Sequence, residues 1–526
     1  MKKLLYILVM LMLIMLFCFT NYVFILADQD FSNTLVIAEN EYPSSFDPVF
    51  ADDSAVERAM ALSYEALLRF NPSTNKLEPW IASKWSVSED GKIYTFILNQ
   101  NITFHDGTDL TASDVKFTFD RMKEINQGIV YELNALDRIE VVDDYTVKFY
   151  LSEPYIPFIN IIPKMYIISE EGVKANISDN DFAMAYLANH ELGSGPYVLT
   201  SFAPEQQAVF SKYDNYWKGW EGNHVEKVIW QYIKESSTQR LLLEKGDVDI
   251  IMDPSPDDLN VLRDNSDIKL AEGTTFVVDY FHLRTNHKPL DDIRVRKALA
   301  LAYDYDAHIA IVLGGSGTQA QGPISSSMMF HNNTLPIVKQ DMAKAKALLA
   351  EAGYPNGGFT LKLAYVGIGE QDQRTAVMFQ SNLAELGITV DFMANTWDYM
   401  FDMEQDENSE PDIYVEHFFY NSADPGSGLW DLYHSEARGI GSNASWYQNP
   451  KVDELLDMGL TEMDIIKREM YYKEIQKLIT EDVPSICISN PKYIIAMRNY
   501  VHGYEYNPSH HECIFAYDIY LDGKPN

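Results

Sequence analysis

Three pairs of adjacent side chains carry the donor types that metal or acid–base chemistry requires: Asp52-Asp53, Asp291-Asp292 and His510-His511. Carboxylates and imidazoles bind cations and move protons only when several converge on one point. Neighbours on a strand point to opposite faces and neighbours on a helix diverge by about 100°, so each pair needs further ligands from distant segments. The spacing supplies none, and the pairs read as structural. Gly314-Gly315-Ser316-Gly317 approaches a nucleophile elbow, but Thr318 stands where its last glycine belongs. The run GIGEQD, Gly367 to Asp372, opens like a dinucleotide loop and lacks the third glycine. HExxH, CxxC and GxxxxGK[ST] do not occur. The expectation is a protein with no catalytic residue, no metal and no cofactor.

The elements that would position any site alternate in type. Short β-rich runs (LVIAE, YTFILN, YTVKFYL, KVIWQYI, LKLAYV, ITVDFM) are interleaved with helical stretches such as Asp341 to Ala352 and Ile466 to Thr480. This is the pattern of a mixed α/β protein. Asp341 reads as a helix N-cap, with Gly353 and Pro355 ending that helix. There is no internal repeat or low-complexity linker, so packed domains are expected rather than tethered ones. The strongest punctuation falls near Gly193 to Pro196 and Asn286 to Leu290.

The chain has 526 residues, enough for two or three domains. Its 77 acidic and 41 basic side chains give a net charge of −36, which repels nucleic-acid phosphates and anionic headgroups. Met1, Lys2 and Lys3 precede an apolar run from Leu4 to Phe19 and a second apolar patch reaching Ala27, the build of an export signal. Cleavage after Ala27, lipidation at Cys18 and retention as an uncleaved anchor all remain open; Met15, Leu16 and Phe17 suit a lipoprotein signal poorly. Cys487 and Cys513 imply no disulfide framework, and one bridge or two buried thiols fit equally.

The stretch WIASKWSVSEDGKIYTFILNQNITFHDGTDLTASDVKFTFDRM, Trp80 to Met122, closely resembles the signature of bacterial extracellular solute-binding proteins of family 5. Its physical content is structural. Asp90-Gly91 and Asp106-Gly107 suit tight turns, Trp85 and Phe104 suit a core, and Ser113 or Asp114 suits a helix cap. Further matches follow in the family's order: FDP (Phe46 to Pro48), GSGPY (Gly193 to Tyr197), NYW (Asn215 to Trp217), PLDDIRVRKALALAYD (Pro289 to Asp304), ALLAEAGYP (Ala347 to Pro355), LAELGITV (Leu383 to Val390) and DVPSICI (Asp482 to Ile488). Ser194 stands where the family usually has threonine.

The resemblance implies an α/β periplasmic-binding-protein type II fold, a Venus flytrap of two lobes with an extra inserted domain. Residues 1–27 would form the signal or anchor. Domain I would take 31–66, 190–283 and 497–526, domain II 67–189, and domain III 284–496. It implies a monomeric, extracytoplasmic receptor that binds oligopeptides and delivers them to ABC-transporter permease subunits with their cytoplasmic ATPases. Nickel chelates or oligosaccharides are the alternative ligands, and a ligand-sensing signalling partner is a further reading. A hydrolase on this fold would need a nucleophile with a base, which spacing does not supply.

The loop FFYNSADPGSGLW, Phe418 to Trp430, aligns with the family segment that presents an aspartate to a peptide's ammonium group. Here Asn421 or Ser422 occupies that place, so Asp424 or the Asp52-Asp53 pair would have to supply the charge. The arginine that reads the ligand carboxylate in dipeptide-binding relatives has no counterpart after Leu361 to Val366, and Arg374 is the nearest cation. Trp397 matches a cleft tryptophan, and Phe419, Tyr420 and Trp430 flank the loop. The expected ligand-binding residues are therefore Trp397, Asn421, Asp424, Phe419, Tyr420, Trp430, Asp52 and Asp53.

Overall fold

The computed structural model describes residues 32–74, 76–367, 370–440, 442–510 and 512–525. The apolar N-terminal segment with Cys18 and Ala27, two residues of the GIGEQD turn, and His511 lie outside the described residues.

Four of the six β-rich runs (LVIAE, KVIWQYI, LKLAYV and ITVDFM) supply strands of a twelve-stranded sheet. Its path runs Thr389–Asn395, Thr360–Val366, Ile413–Phe419, Val277–Leu283, Ser485–Arg498, Ile250–Met252, Thr34–Glu39, Lys227–Tyr232, Gln207–Lys212 and Tyr197–Ala203. Each half contains parallel pairs, such as Leu361 with Val390 and Ile37 with Trp230, and the apolar runs Thr34–Glu39 and Thr360–Val366 are covered on both faces. The 14-residue strand Ser485–Arg498 belongs to both halves. Its first residues pair with Val277–Leu283, and its last pair with Ile250–Met252 and Ile268–Thr274.

A separate four-stranded sheet forms from Ala82–Val87, Ile93–Leu98, Thr146–Leu151 and Leu136–Asp143. In Ile93–Leu98 and Thr146–Leu151, alternate side chains point inward. Phe96 and Phe149 meet edge to face at 5.3 Å, and Phe119 of helix Ala112–Ile125 closes on Phe149 at 4.9 Å. Gly91 and Gly107 take φ of +70° and +88°, which their turns require. The helix cap differs from expectation. Thr111, not Ser113, is the N-cap, and Asp114 returns a hydrogen bond to the Thr111 backbone to complete a capping box.

Helix Met342–Glu351 starts at Asp341, whose carboxylate accepts from Lys344 N, and helix Ile465–Asp482 extends slightly beyond its sequence estimate at both ends. Distinct apolar cores lie under the four-stranded sheet and under each half of the large one. Helix Ser54–Ser63 joins two of them: Ala59 and Leu62 face one, Val56 and Met60 the other. Cys487 and Cys513 are both free thiols.

Candidate functional site in the interlobe cleft

Strand Ser485–Arg498 runs from one half into the other, and Val277–Leu283 lies beside its first residues, where an interlobe cleft is expected. There Asp279 lies opposite His417 of strand Ile413–Phe419. His417 Nδ1 donates to Asp279 Oδ1 at 2.6 Å, while Ser489 donates its hydroxyl hydrogen to Asp279 Oδ2. His308 Nε2 sits 3.0 Å from the Ser489 hydroxyl. Burial opposes charge on His417, but Asp279, Asp372 and Asp253 overcome it and raise its pKa to about 9. Burial would likewise raise Asp279; the neighbouring histidines instead hold it far below the ordinary carboxylate range. Asp372 has the weaker partners, and burial lifts it to about 6.

Toward the mouth, the halves approach through Asn421 and Glu132. Asn421 Nδ2 donates to Glu132 Oε1 at 2.9 Å and lies 3.5 Å from the Tyr131 hydroxyl. Glu132 belongs to a short turn, Gly128–Leu133, seated against the loop of Val49 to Asp52. Gly128 permits that seating. Its φ is +60°, and a Cβ there would stand 2.0 Å from the Val49 carbonyl oxygen. Glu132 is pushed up by burial, and Asp431 is pushed up to about 7 by burial and by Glu132. Burial and the adjacent Asp53 raise Asp52. Lys164 places its ammonium 4.9 Å from the Phe419 ring centre and 3.3 Å from Glu57 Oε2. Arg374 with Asp257 at 3.0 Å and Ile156 N with Leu460 O at 2.9 Å also bridge the halves.

The eight sequence-selected residues divide. Asn421 meets Glu132, Phe419 meets the Lys164 ammonium, and Asp52 lies against the turn that carries Glu132. Trp397 opens helix Trp397–Gln405 and is 51% exposed. Asp53 instead caps helix Ser54–Ser63, accepting from Ala55 N at 2.8 Å and Val56 N at 3.1 Å. Tyr420 is buried, its hydroxyl donating to Pro323 O at 2.7 Å. Asp424 is buried and forms a forked pair with Arg468, at 2.7 and 3.0 Å, so its charge is already matched. Trp430 is half-buried and stacks on His434 at 4.8 Å. Arg374 is engaged by Asp257 rather than merely solvating its helix.

Tyr131, Glu132, Lys164, His417 and Asp431 were not selected from sequence. Each gains its setting from a segment remote in the chain, so no local motif marks it. The glycine of the GIVYE turn was the one local signal for Glu132.

A twelve-stranded sheet continuous through two halves, with a separate four-stranded sheet, fits a two-lobed solute-binding protein of the flytrap type. Residues 76–439 match the family described as bacterial extracellular solute-binding proteins, family 5. The chain is 30% identical over 482 residues to the probable D,D-dipeptide-binding periplasmic protein DdpA of Escherichia coli K12, covering 90% of this chain and 92% of that one. It is 27% identical to the dipeptide-binding protein of the same organism, covering 91% and 94%. The fold superposes on the periplasmic binding protein DppA of Helicobacter pylori, solved with the peptide STSA, at a TM-score of 0.81 and 24% identity, covering 93% and 98%. The chain belongs to family 5 of the bacterial extracellular solute-binding proteins. It is thus a member of a family of binding proteins rather than enzymes. Among the described residues, no helix is long and apolar enough to cross a membrane.

Proposed function

We propose that this chain is the extracytoplasmic receptor of an ABC importer, a monomer that binds oligopeptides between its lobes and presents them to the permease. The domains are those expected from the family: I at 31–66, 190–283 and 497–526, II at 67–189, and III at 284–496. The N-terminal segment serves export, and cleavage after Ala27, lipidation at Cys18 and retention as an anchor are the three ways the protein would be released or held.

The peptide reading is carried by the acidic mouth of the cleft. Burial, then Glu132, Asp52 and Asp431, raise the Tyr131 hydroxyl, and the turn carrying Tyr131 and Glu132 packs against Val49 and Asp52. None of the three has an ion-pair partner among the described residues. Lys164 is already committed to Glu57. A ligand ammonium entering beside Asn421 would meet Glu132 and supply the missing charge. In this reading Glu132 takes over the role for which Asn421 lacks charge, and neither Asp424 nor Asp53 is required. Tyr131, Phe419 and Trp397 would give side-chain-tolerant apolar walls, while ligand contacts to both lobes would favour closure.

Thermal shifts of ligand-free protein against peptides of two to eight residues, their N-acetylated forms, nickel chelates and short oligosaccharides test this reading. A true ligand at 100 times its dissociation constant stabilises by roughly 2.7 kcal/mol. Stabilisation by free peptides that N-acetylation abolishes supports it. Stabilisation by chelates or sugars alone replaces the ligand class.

A further inference from the structure

Away from that subsite, three side chains from two distant parts of the chain converge. Glu57 lies on helix Ser54–Ser63, His510 ends the turn Pro508–His510, and Cys513 follows three residues later. All three are buried, and one carboxylate oxygen, one imidazole nitrogen and the thiol sulfur lie within 4.8 Å of one another. A second observation points into the same place. Tyr166 is 3% exposed, its hydroxyl has no hydrogen-bond partner, and its electrostatic neighbours are Glu57 and Cys513. A buried phenol without a partner is costly unless something absent from the protein chain completes it. Tyr166 and His510 also line a cavity of about 400 Å³ walled by Tyr64, Phe70 and Phe515, which gives the cluster a route to solvent.

We infer that Glu57, His510 and Cys513 form a binding site for one borderline-soft divalent cation of the zinc class, separate from the interlobe cleft. The donor set selects the ion. A thiolate with an imidazole and a single carboxylate oxygen suits zinc or cobalt(II), whereas magnesium and calcium require oxygen donors. Glu57 is arranged to serve: Oε1 faces His510 Nδ1 at 2.7 Å, while Oε2 faces the Lys164 ammonium at 3.3 Å. On binding, the His510 Nδ1 proton leaves for solvent through the cavity, the Glu57–His510 hydrogen bond is exchanged for two metal bonds, and Lys164 stays on Oε2. The Cys513 thiol loses its proton to solvent through the cavity, the sulfur gives an electron pair to the cation, and no redox change occurs. The Tyr166 hydroxyl then gains the thiolate as acceptor. Water from the cavity completes four-fold coordination.

The test is cobalt(II) and zinc titration of the chelator-stripped full-length protein. One equivalent of cobalt should give a near-ultraviolet thiolate-to-cobalt band, and zinc should displace it. The band should be lost in Cys513→Ser and His510→Ala and kept in Cys487→Ser and Cys18→Ser. A wild type without the band, or a band that survives Cys513→Ser, overturns the site. Should the variants fail to fold, wild-type protein decides: zinc must slow alkylation of Cys513, mapped by mass spectrometry, while leaving Cys487 unchanged. Equal rates with and without zinc overturn the proposal. Peptide binding by Cys513→Ser should equal that of the wild type, so failure here leaves the peptide reading intact.

Discussion

His417 and Asp279 face each other across adjacent strands, joined by a 2.6 Å hydrogen bond between Nδ1 and Oδ1. The Asp279 strand also pairs with the first residues of Ser485–Arg498, the strand that runs into the other half, so this pair lies next to the connection between the halves. His417 is 39% exposed at its side chain, which keeps the pair in contact with solvent and its pH response open to measurement.

His417 should impart an alkaline limit to stability. Its folded pKa of about 9 lies above its ordinary value of 6.5. The stabilisation is therefore fully present below the ordinary value and is lost as pH rises through about 9. Melting curves should show His417→Gln melting a few degrees below wild type at pH 6, the gap shrinking by pH 10. A gap independent of pH would refute the assignment of charge.

Removing one partner of the buried Asp424–Arg468 pair should be severe. Asp424→Asn leaves the Arg468 guanidinium buried without its counter-charge and should cost about 3–5 kcal/mol in urea unfolding. Replacing both, as Asp424→Asn with Arg468→Met, should recover much of that loss. If Asp424→Asn instead spared stability and abolished peptide binding, Asp424 would be a ligand contact after all.

Glu132→Gln should weaken binding of free peptides about 10- to 100-fold, the size of one charge-assisted hydrogen bond of about 1.5–3 kcal/mol. N-acetylated peptides should be insensitive to it. Asn421→Asp, which adds charge where the family places it, should tighten free peptides. Isothermal titration at pH 7 measures all three.

Gly128→Ala should damage the same subsite indirectly. The new Cβ meets the Val49 carbonyl in a backbone conformation alanine resists, so the turn carrying Glu132 must shift. Strain of about 1–3 kcal/mol is expected, with weaker peptide binding than stability loss alone explains. Peptide titration well below the melting temperature separates the two effects.

Much of the architecture was legible along the chain. The alternating apolar runs became strands, the Asp-Gly steps became turns, and Asp341 capped its helix, because these follow from residue period and local backbone preference. The Thr111 cap was missed in favour of Ser113 or Asp114, since all three offer side-chain oxygens within four positions until the helix start is fixed. Phe419 and Tyr420 show the limit for the site. Both are aromatic and adjacent, yet one meets the Lys164 ammonium at the cleft and the other is locked in the core by Pro323. Strand alternation separates their faces, but only packing says which face is the cleft.

The sequence by itself determined the family, the α/β class and the net acidic charge. Those rest on residue identity and on separations of a few positions. Tertiary structure alone decided that Glu132 meets Asn421 across 289 residues and that Glu57 meets His510 across 453. It also decided that Asp424 is committed to Arg468. Electrostatic partnership depends on distance and burial in space, and a folded chain makes both nearly independent of separation along it.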